Sequence, residues 1–350
     1  MKTVTLCTQP CMKTVLSRKS RALVGLFVTF FMTLAASAQW STQTSGTTQH
    51  LRGVHFEDAN TGWTVGNSGV IRITTNGGTT WTAQTSGTTQ RLDAVFFVST
   101  STGWAAGNNG TILKTTNGGT AWAAQTSGTT DELNSIFFLD ANTGWSSGDN
   151  GTILKTTNGG TTWTAQTSGT TQDLFDIKFI DANTGWAVGA NGVIRKTTNG
   201  GTTWTAQTSG TTQDLNGSYF LDANTGFAVG DAGTILKTTN GGTSWTAQTS
   251  NTGDDLYSIQ FTSSATGFVA GENGTLLKTP DAGTSWGLQT TNVTDDLLAI
   301  FLINGTTGWA VGLNGTIINT TGGGGYTWTE ETSGTTQDLD DIFFINTTTG

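Results

Sequence analysis

The sequence predicts an all-β fold, a β-propeller built of four-stranded antiparallel blades. Three observations predict it: two aromatic residues return at a spacing of 41 residues, apolar and polar residues alternate within each copy, and Gly, Asn and Asp separate the short apolar stretches. Gly and Asn recur in every segment long enough to form a helix, and because both residues disfavour helices, this sequence is not expected to form a helical repeat. The Gly-aromatic series is Trp63, Trp104, Trp145, Trp186, Phe227, Phe268 and Trp309, and the second series is Trp40, Trp81, Trp122, Trp163, Trp204, Trp245 and Trp286. We expect both series to be buried between blades, because one blade alone cannot cover its aromatic faces.

The first strand of the unit is clearest in the fourth copy. Phe175, Ile177 and Phe179 are predicted to lie on one face of this strand, while Asp176 and Lys178 lie on the other. This period of two is typical of a half-buried strand.

Turns and three further strands complete the copy. Residues 181–185 predict a turn, since Asp and Asn bind their own backbone and Gly accepts a positive φ. Residues 186–189 and 193–196 predict two strands joined by the Asn-Gly hairpin at 190–192. A Gly-rich turn then leads to a fourth strand at 203–207.

The ends of the chain bear on the number of blades. Residues 40–43 align with the fourth strand of the unit, so they should complete the last blade and close the ring. An eighth copy begins at Asp338 and is incomplete at Gly350. We predict seven blades, or eight if the truncated copy is completed.

Residues 1–38 predict a secretory signal peptide, and residues 39–350 form the repeat domain. Basic residues precede an apolar run at 22–36, and Ala36-Ser37-Ala38 is typical of a cleavage site. Both cysteines, Cys7 and Cys11, lie in this leader. We expect a secreted protein, extracellular, periplasmic or at the cell surface, with no membrane span after the leader.

Composition disfavours nucleic acid as a partner. Residues 39–350 carry 10 Lys and Arg residues against 24 Asp and Glu residues, a net charge of −14. Binding phosphates needs a basic stripe, and no basic run follows Gln39.

The turn before the second Trp repeats the pattern Thr-x-Asn/Asp-x-Gly-x-Thr/Ser-Trp, as at Thr156 to Trp163 and Thr279 to Trp286. It resembles the Asp-box, or bacterial neuraminidase repeat. Together with the preceding Gly-Trp-Ala-Val-Gly-x-x-Gly-x-Ile, the unit resembles the photosystem II assembly and stability factor repeat. That resemblance implies a propeller and a protein-binding or assembly role. The box residues predicted to cap these turns are Asn76, Asn117, Asn158, Asn199, Asn240 and Asp281.

The sequence offers little support for an enzyme or a metal site. Calcium would need several converging carboxylates at each box, and most boxes have none, so we expect no metal and no cofactor. The Asp-box family includes sialidases, which need an arginine cluster and a Tyr nucleophile beside a Glu. Arg72 and Arg195 fall on different blades, and no tyrosine has such an insertion. We therefore expect no enzyme, with a glycan-binding protein or sialidase-like glycoside hydrolase as the alternative.

Acidic residues recur in the loops between blades, opposite the Asp-boxes. We expect them to form an acidic rim that binds a basic protein or peptide, with a glycan as the alternative partner. Every copy is predicted to carry an equivalent acid, so none is singled out as a catalytic group. The predicted rim residues are Asp131, Glu132, Asp173, Asp214, Asp254, Asp255, Asp295 and Asp296.

Overall fold

The computed structural model describes residues 40–322, in which seven four-stranded antiparallel sheets form a ring. The predicted all-β propeller with seven blades is confirmed. The leader at 1–38, and the residues of the seventh and eighth copies from 323 onward, lie outside the described residues. Within the described part of the chain, no helix is long and apolar enough to cross a membrane.

In the first six blades, four consecutive strands run outward from the ring centre. The strands of blades 1 to 3 are β2 Leu51–Phe56, β3 Gly62–Gly66, β4 Ile71–Thr74, β5 Thr82–Gln84, β6 Leu92–Phe97, β7 Gly103–Gly107, β8 Thr111–Thr115, β9 Ala123–Gln125, β10 Leu133–Phe138, β11 Gly144–Gly148, β12 Ile153–Thr156 and β13 Thr164–Gln166. Those of blades 4 to 6 are β14 Leu174–Phe179, β15 Gly185–Gly189, β16 Ile194–Thr197, β17 Thr205–Gln207, β18 Leu215–Phe220, β19 Gly226–Gly230, β20 Thr234–Thr238, β21 Thr246–Gln248, β22 Leu256–Phe261, β23 Gly267–Gly271, β24 Leu276–Thr279 and β25 Gly287–Leu288.

Blade 7 contains both ends of the described chain. Its strands are β26 Leu297–Leu302, β27 Gly308–Gly312, β28 Ile317–Thr320 and β1 Ser41–Gln43. β1 pairs antiparallel with β28, with Ser41 opposite Asn319 and Gln43 opposite Ile317. The first strand therefore closes the ring as predicted.

Turns follow the Asn-Gly and Asp signals of the sequence. In the fourth copy, Asn191 has φ 54° and Gly192 has φ 71°, the left-handed pair that an Asn-Gly hairpin requires. Asp181 Oδ1 accepts hydrogen bonds from the backbone N–H groups of Asn183 and Thr184, each at 2.7 Å. Short 3-10 turns occupy this hairpin in six blades, at Asn67–Gly69, Asn108–Gly110, Asp149–Gly151, Ala190–Gly192, Glu272–Gly274 and Leu313–Gly315.

The core lies between blades rather than within them. Trp145 of blade 3 is fully buried and stacks on Phe179 of blade 4, with ring centroids 3.6 Å apart and planes 12° apart. Trp309 makes the same stack on Phe56 across the closure, at 3.5 Å. Each aromatic pair thus joins a blade to the next.

The second aromatic series is less buried than predicted. Trp81, Trp204 and Trp286 are buried, but Trp122 and Trp163 are only half-buried, and so is Trp245. Each packs edge-on against the Phe that ends the first strand of its own blade, as Trp163 does on Phe138 at 5.8 Å and 87°. Their position at the outer turn leaves part of the indole open to solvent.

The predicted alternation in the first strand is wrong at its start. A register shift between Leu174 and Asp176 inserts a bulge, and an equivalent shift occurs in the first strand of all seven described blades. Asp176 is consequently buried, whereas Phe175 is half-buried. Both residues line the central channel together with Lys178.

Candidate partner-binding face and central channel

The strand order gives the ring two faces with different loops. On the rim face, the loops between blades meet the hairpins between second and third strands, as where Gly110 N–H donates to Asp131 O at 2.8 Å. On the box face, each Asp-box meets the loop between first and second strands, as where Gly77 N–H donates to Asn60 O at 2.9 Å. The eight predicted acids lie on the rim face, and all are half-buried.

Three of these acids bind hydroxyl groups. Asp254 accepts hydrogen bonds from Thr252 Oγ1 at 2.9 Å, Thr275 Oγ1 at 2.5 Å and Asn273 Nδ2 at 3.2 Å. The Thr275 hydroxyl is the largest cause that lowers the pKa of Asp254. Asp131 and Asp295 make equivalent bonds to Thr152 and Thr316, which lower their pKa values in the same way.

Four other acids join consecutive blades. The hairpin of one blade donates a backbone N–H to the carboxylate that begins the next, as from Asn191 to Asp214 Oδ1 at 2.8 Å and from Asn273 to Asp296 Oδ1 at 3.0 Å. Asp173 and Asp255 accept equivalent bonds. These carboxylates therefore have a structural role that the sequence reasoning missed.

The rim is not acidic in every copy, which corrects the expectation of one equivalent acid per copy. His50 and Arg91 occupy the position that is Glu132 in the third copy. Arg91 pairs with Glu132, and its Nε lies 2.8 Å from Asp93 Oδ1. Burial and the nearby Arg91 lower the pKa of Arg52, whose Nε lies 3.7 Å from Asp93. We call these residues, Arg52, Arg91, Asp93 and Glu132, the mixed sector.

Between residues 40 and 322, acids of the rim without an ion-pair partner are most numerous in blades 5 to 7. We call Asp214, Asp231, Asp255, Glu272 and Asp296 the acidic arc. Tyr257 lies among them, and burial together with Asp296, Asp255, Glu272 and Asp231 raises its pKa to about 12. Burial, and to a smaller extent Asp255 and Asp214, raises the pKa of Asp231 although Asn216 donates to it. Tyr257 and Asp231 therefore lie in a locally negative part of the rim.

The box face carries both signs of charge. Acids in the loops between first and second strands accept N–H groups of their own turns, which lowers their pKa values; they are Asp58, Asp140, Asp181 and Asp222. A lysine column from the third strands lies on the same face, and consists of Lys114, Lys155, Lys196, Lys237 and Lys278.

These lysines bind the next blade. Lys155 Nζ lies 5.2 Å from the Trp145 ring centroid and donates to Gly200 O at 2.8 Å, in the Asp-box of blade 4. Trp145 Nε1 donates to the same oxygen at 3.2 Å. The column is thus occupied in joining blades.

A glutamine takes this role where the lysine is absent. Blade 1 has Ile73 in the lysine position, and there Gln84 Nε2 donates to Gly118 O at 2.9 Å while Gln84 Oε1 accepts from Trp122 Nε1 at 3.4 Å. In blades that have the lysine, the glutamine turns away, and the next box Trp has no hydrogen-bond partner for Nε1 within the described residues. These residues are Trp163, Trp204, Trp245 and Trp286.

The Asp-box side chains hold their turns. Asn158 Oδ1 accepts the backbone N–H of Thr162 at 2.9 Å and the hydroxyl of Thr156 at 3.0 Å. Asp281 accepts the Ser285 N–H at 2.9 Å and its hydroxyl at 2.6 Å. Asn76, Asn117, Asn199 and Asn240 make the same backbone bond. Among residues 40–322, no group of three or more His, Cys, Asp and Glu residues is placed to hold a metal ion.

A central channel of about 320 Å³ is lined by the first strands. Asp176, at its wall, accepts from Ser135 Oγ at 2.9 Å, Ser218 N at 2.9 Å, Ser218 Oγ at 2.8 Å and Lys178 Nζ at 2.7 Å. Asp176 thereby joins three blades. Burial lowers the pKa of His55, whose Nε2 lies 3.3 Å from Glu57 Oε1.

The residues that a sialidase would need are not brought together in the described structure. Arg72 and Arg195 donate to loop carbonyls, those of Gly46 and Gly169, at 2.5 and 2.6 Å. Tyr257 lines the channel, but its raised pKa holds the phenol protonated, which is unfavourable for a nucleophile. Tyr326 lies outside the described residues.

The repeat pattern matches a known family. The family model of the photosynthesis system II assembly factor YCF48 matches residues 32–126, 83–168, 121–205, 163–247 and 211–288. These segments together span residues 32–288 of the 350. The chain belongs to the YCF48 family. The resemblance noted in the sequence is confirmed, and no curated protein matches the chain.

Solved structures share the YCF48 fold. "YCF48 bound to D1 peptide" matches with a TM-score of 0.70 and 20% identity, over 83% of this chain and 99% of that chain. YCF48 from Cyanidioschyzon merolae matches with a TM-score of 0.69 and 20% identity, over 81% of this chain and 99% of that chain. The GH74 xyloglucanase from Xanthomonas campestris matches with a TM-score of 0.66 and 12% identity, over 82% of this chain and 54% of that chain.

Proposed function

We propose that this YCF48-family propeller is a secreted, non-enzymatic scaffold that binds a cationic protein or peptide at the acidic arc. One observation carries the proposal: four carboxylates of the arc lie close enough to Tyr257 to raise its pKa, and no ion pair with a basic residue is found for them among the described residues. Such a field steers a cationic partner towards the arc and accelerates association at low salt.

Two further observations support a peptide partner. A similar solved structure, at 20% identity, is YCF48 bound to D1 peptide, and this supports a peptide as the class of partner. Lysines of the box face keep their charge but hold Nζ in hydrogen bonds to carbonyls of the next blade, so an anionic partner would have to compete with those bonds. The two faces therefore differ in their capacity to bind.

An enzyme of the glycosidase class is disfavoured on chemical grounds. Retaining or inverting hydrolysis needs two carboxyl groups in different environments, one held as an acid and one as a nucleophile or base. The acids at the starts of blades 4 to 7 instead share one structural bond, to the hairpin of the preceding blade. Their equivalence suits a binding surface.

The test removes three of the five charges of the arc without breaking its structural bonds. Asp214→Asn, Asp255→Asn and Asp296→Asn together remove three charges while each Oδ1 remains able to accept the hairpin N–H. A matched control, Asp140→Asn, Asp181→Asn and Asp222→Asn, removes the same charge from the box face, where each Oδ1 accepts within its own turn. The probe is a fluorescent peptide of nine lysines, titrated by anisotropy at several salt concentrations.

We expect the rim triple variant to bind the peptide roughly tenfold more weakly, since exposed ion pairs contribute about 0.2–1 kcal/mol each. Its affinity should also depend less on salt than that of the wild type. The box-face control should bind like the wild type. Equal weakening in both variants, or tighter binding of a nine-glutamate peptide, would contradict the proposal.

Secretion is a separate part of the proposal and rests on the leader. Mass spectrometry of the protein expressed from its full reading frame should find an N-terminus at Gln39 outside the cytoplasm. An N-terminus that retains residues 22–36 on the protein would contradict removal of the leader.

A further inference from the structure

Seven equivalent positions surround the mouth of the central channel on the rim face. Each is the second residue of a first strand, directly after a buried leucine, and each is half-buried and lines the channel. In chain order they are Arg52, Asp93, Asn134, Phe175, Asn216, Tyr257 and Leu298. Because four blades carry a charged or amide side chain here, the fold does not require an apolar or aromatic one.

Blade 7 replaces a polar pair at the mouth with two leucines. In blade 5, Asn216 Nδ2 donates to Asp231 Oδ1 in the rim hairpin at 2.9 Å, and blade 3 has the same bond. Leu298 and Leu313 occupy these two positions in blade 7, and both are half-buried. Neither belongs to the two buried clusters that contain the core side chains of this blade. The two leucines therefore expose apolar surface that the core does not use.

Tyr257 of blade 6 precedes Leu298 in the order of the ring. Among the described residues, its ring contacts no other aromatic ring and its hydroxyl has no hydrogen-bond partner, whereas Tyr219 lies 5.9 Å from the ring of Phe261. We call Tyr257, Leu298 and Leu313 the mouth patch. The patch is continuous in ring order across blades 6 and 7.

Carboxylates of the acidic arc border the mouth patch. Asp296, Asp255 and Glu272 lie close enough to Tyr257 to raise its pKa. The backbone N–H of Leu313 donates to the backbone oxygen of Asp296 at 3.0 Å, so the leucine hairpin contacts the start of the acidic strand. Apolar surface alone would accept many partners, but these carboxylates disfavour an acidic one and complement a cationic one.

We propose that the mouth patch binds an apolar side chain of the cationic peptide, so that the partner carries an apolar residue flanked by Lys or Arg. The inference rests on the proposed function, because the acidic arc must hold the flanking cations. Contact with the two leucines removes apolar area of the partner from water, and the Tyr257 ring offers its face to a neighbouring cation. The arc thus attracts the peptide, and the patch fixes its register.

Two peptides of equal charge test this inference by fluorescence anisotropy. Each has eight lysines, with either leucine or serine at the central position. Titrations are made at pH 8, where histidine is neutral, because His50 Nδ1 accepts the Asn314 N–H beside Leu313. We expect the wild type to bind the leucine peptide about fivefold more tightly, since part of the leucine side chain leaves water.

The test variant gives blade 7 the side chains of other blades. Leu298→Asn introduces the residue of blades 3 and 5, and Leu313→Asn introduces that of blades 1 and 2, so the double variant should fold with its charge unchanged. Its preference for the leucine peptide should fall below twofold, while its affinity for the serine peptide stays that of the wild type. Phe175→Asn, the matched control in blade 4, should keep the fivefold preference. Circular dichroism verifies that each variant is folded.

The rim triple variant separates this inference from the proposed function. It should weaken the binding of both peptides alike and keep the preference for leucine. If it weakens both peptides but the wild type does not prefer leucine, this inference alone is wrong. If the double variant loses the preference but neither peptide responds to the triple variant, the proposed function is wrong and the apolar contact stands.

Four results would overturn the inference. They are equal affinities of the two peptides for the wild type, a leucine preference unchanged in the double variant, a preference lost equally in Phe175→Asn, and a dimer in sedimentation that the double variant abolishes. The last result would assign the mouth patch to a second copy of the chain. If the double variant does not fold, Tyr257→Asn takes its place and must reduce the leucine preference at least twofold.

Discussion

Replacing Trp145 with Ala tests whether the ring is held together by stacks between blades. The indole is fully buried, lies 3.6 Å from the Phe179 ring, and donates from Nε1 to Gly200 O. Burial of about 150–250 Å² at about 25 cal/mol per Å² gives roughly 4–6 kcal/mol, and Trp→Ala changes typically cost about 3–5 kcal/mol. Gly200 O still accepts from Lys155, so no buried acceptor is orphaned. We expect Trp145→Ala to lower the free energy of unfolding by about 4–5 kcal/mol.

Trp163→Ala is the matched comparison from the second aromatic series. Trp163 is half-buried, and its Nε1 has no partner within the described residues. Its removal should cost less, about 3 kcal/mol, because part of the indole is already exposed to solvent. Urea unfolding followed by circular dichroism and fluorescence measures both losses. Equal losses, or a larger loss for Trp163→Ala, would refute the assignment of the core to the stacks between blades.

Three further changes test single contacts, each by its effect on unfolding or titration. Lys155→Ile should lower the free energy of unfolding by less than about 1 kcal/mol, because Gln166 can take over the carbonyl as Gln84 does beside Ile73; a loss above about 2 kcal/mol would contradict this exchange. Asn158→Ala should lower the free energy of unfolding, measured by a urea melt, by about 1 kcal/mol, because a hydrogen bond of the turn is lost. An unchanged free energy of unfolding would contradict the capping role of the box. Thr275→Val should raise the pKa of Asp254 in a carboxyl NMR titration. Because the folded pKa of Asp254 lies below the unfolded value of about 3.9, its ionised form stabilises the fold above that pH, and this stability is lost as the pH falls through the folded pKa. The variant should therefore lose less of its free energy of unfolding below about pH 4. An unchanged titration of Asp254 would contradict the role of the Thr275 hydroxyl.

The ring was predictable because its causes repeat along the chain. A spacing of 41 residues identifies the blade, and the likeness of residues 40–43 to a fourth strand predicts the pairing with β28. Left-handed Asn191 and Gly192 follow from the turn chemistry of two adjacent residues. Each of these features depends on local sequence, which one copy displays in full.

Contacts between copies were harder to predict. Asp176 is buried because Ser135 and Ser218 supply hydroxyl groups from the two neighbouring blades, and nothing within its own copy indicates this. The bulge that turns Asp176 inward also defeats a strict period of two. An alternating pattern describes an isolated strand, whereas this strand lies in a ring.

The sequence itself indicates the mixed sector, although the total number of acidic residues does not. His50 and Arg91 stand at the spacing of Glu132 in the first two copies, so the rim could not be uniformly acidic. Comparison of equivalent positions, copy by copy, would have limited the candidate site to the later blades. The structural use of Asp214, by contrast, required the position of the neighbouring hairpin.

Hydrogen exchange of the full chain, with and without the nine-lysine peptide, tests the central claim most directly. The backbone N–H groups of Ala232 and Asn273 donate to Asp255 and Asp296 of the acidic arc, so a peptide bound there should slow their exchange. Asp-box amides such as that of Thr203, on the box face, should exchange as in the free protein. Protection confined to the box-face turns, with the hairpins at 231–233 and 272–274 unchanged, would contradict a partner site on the acidic arc.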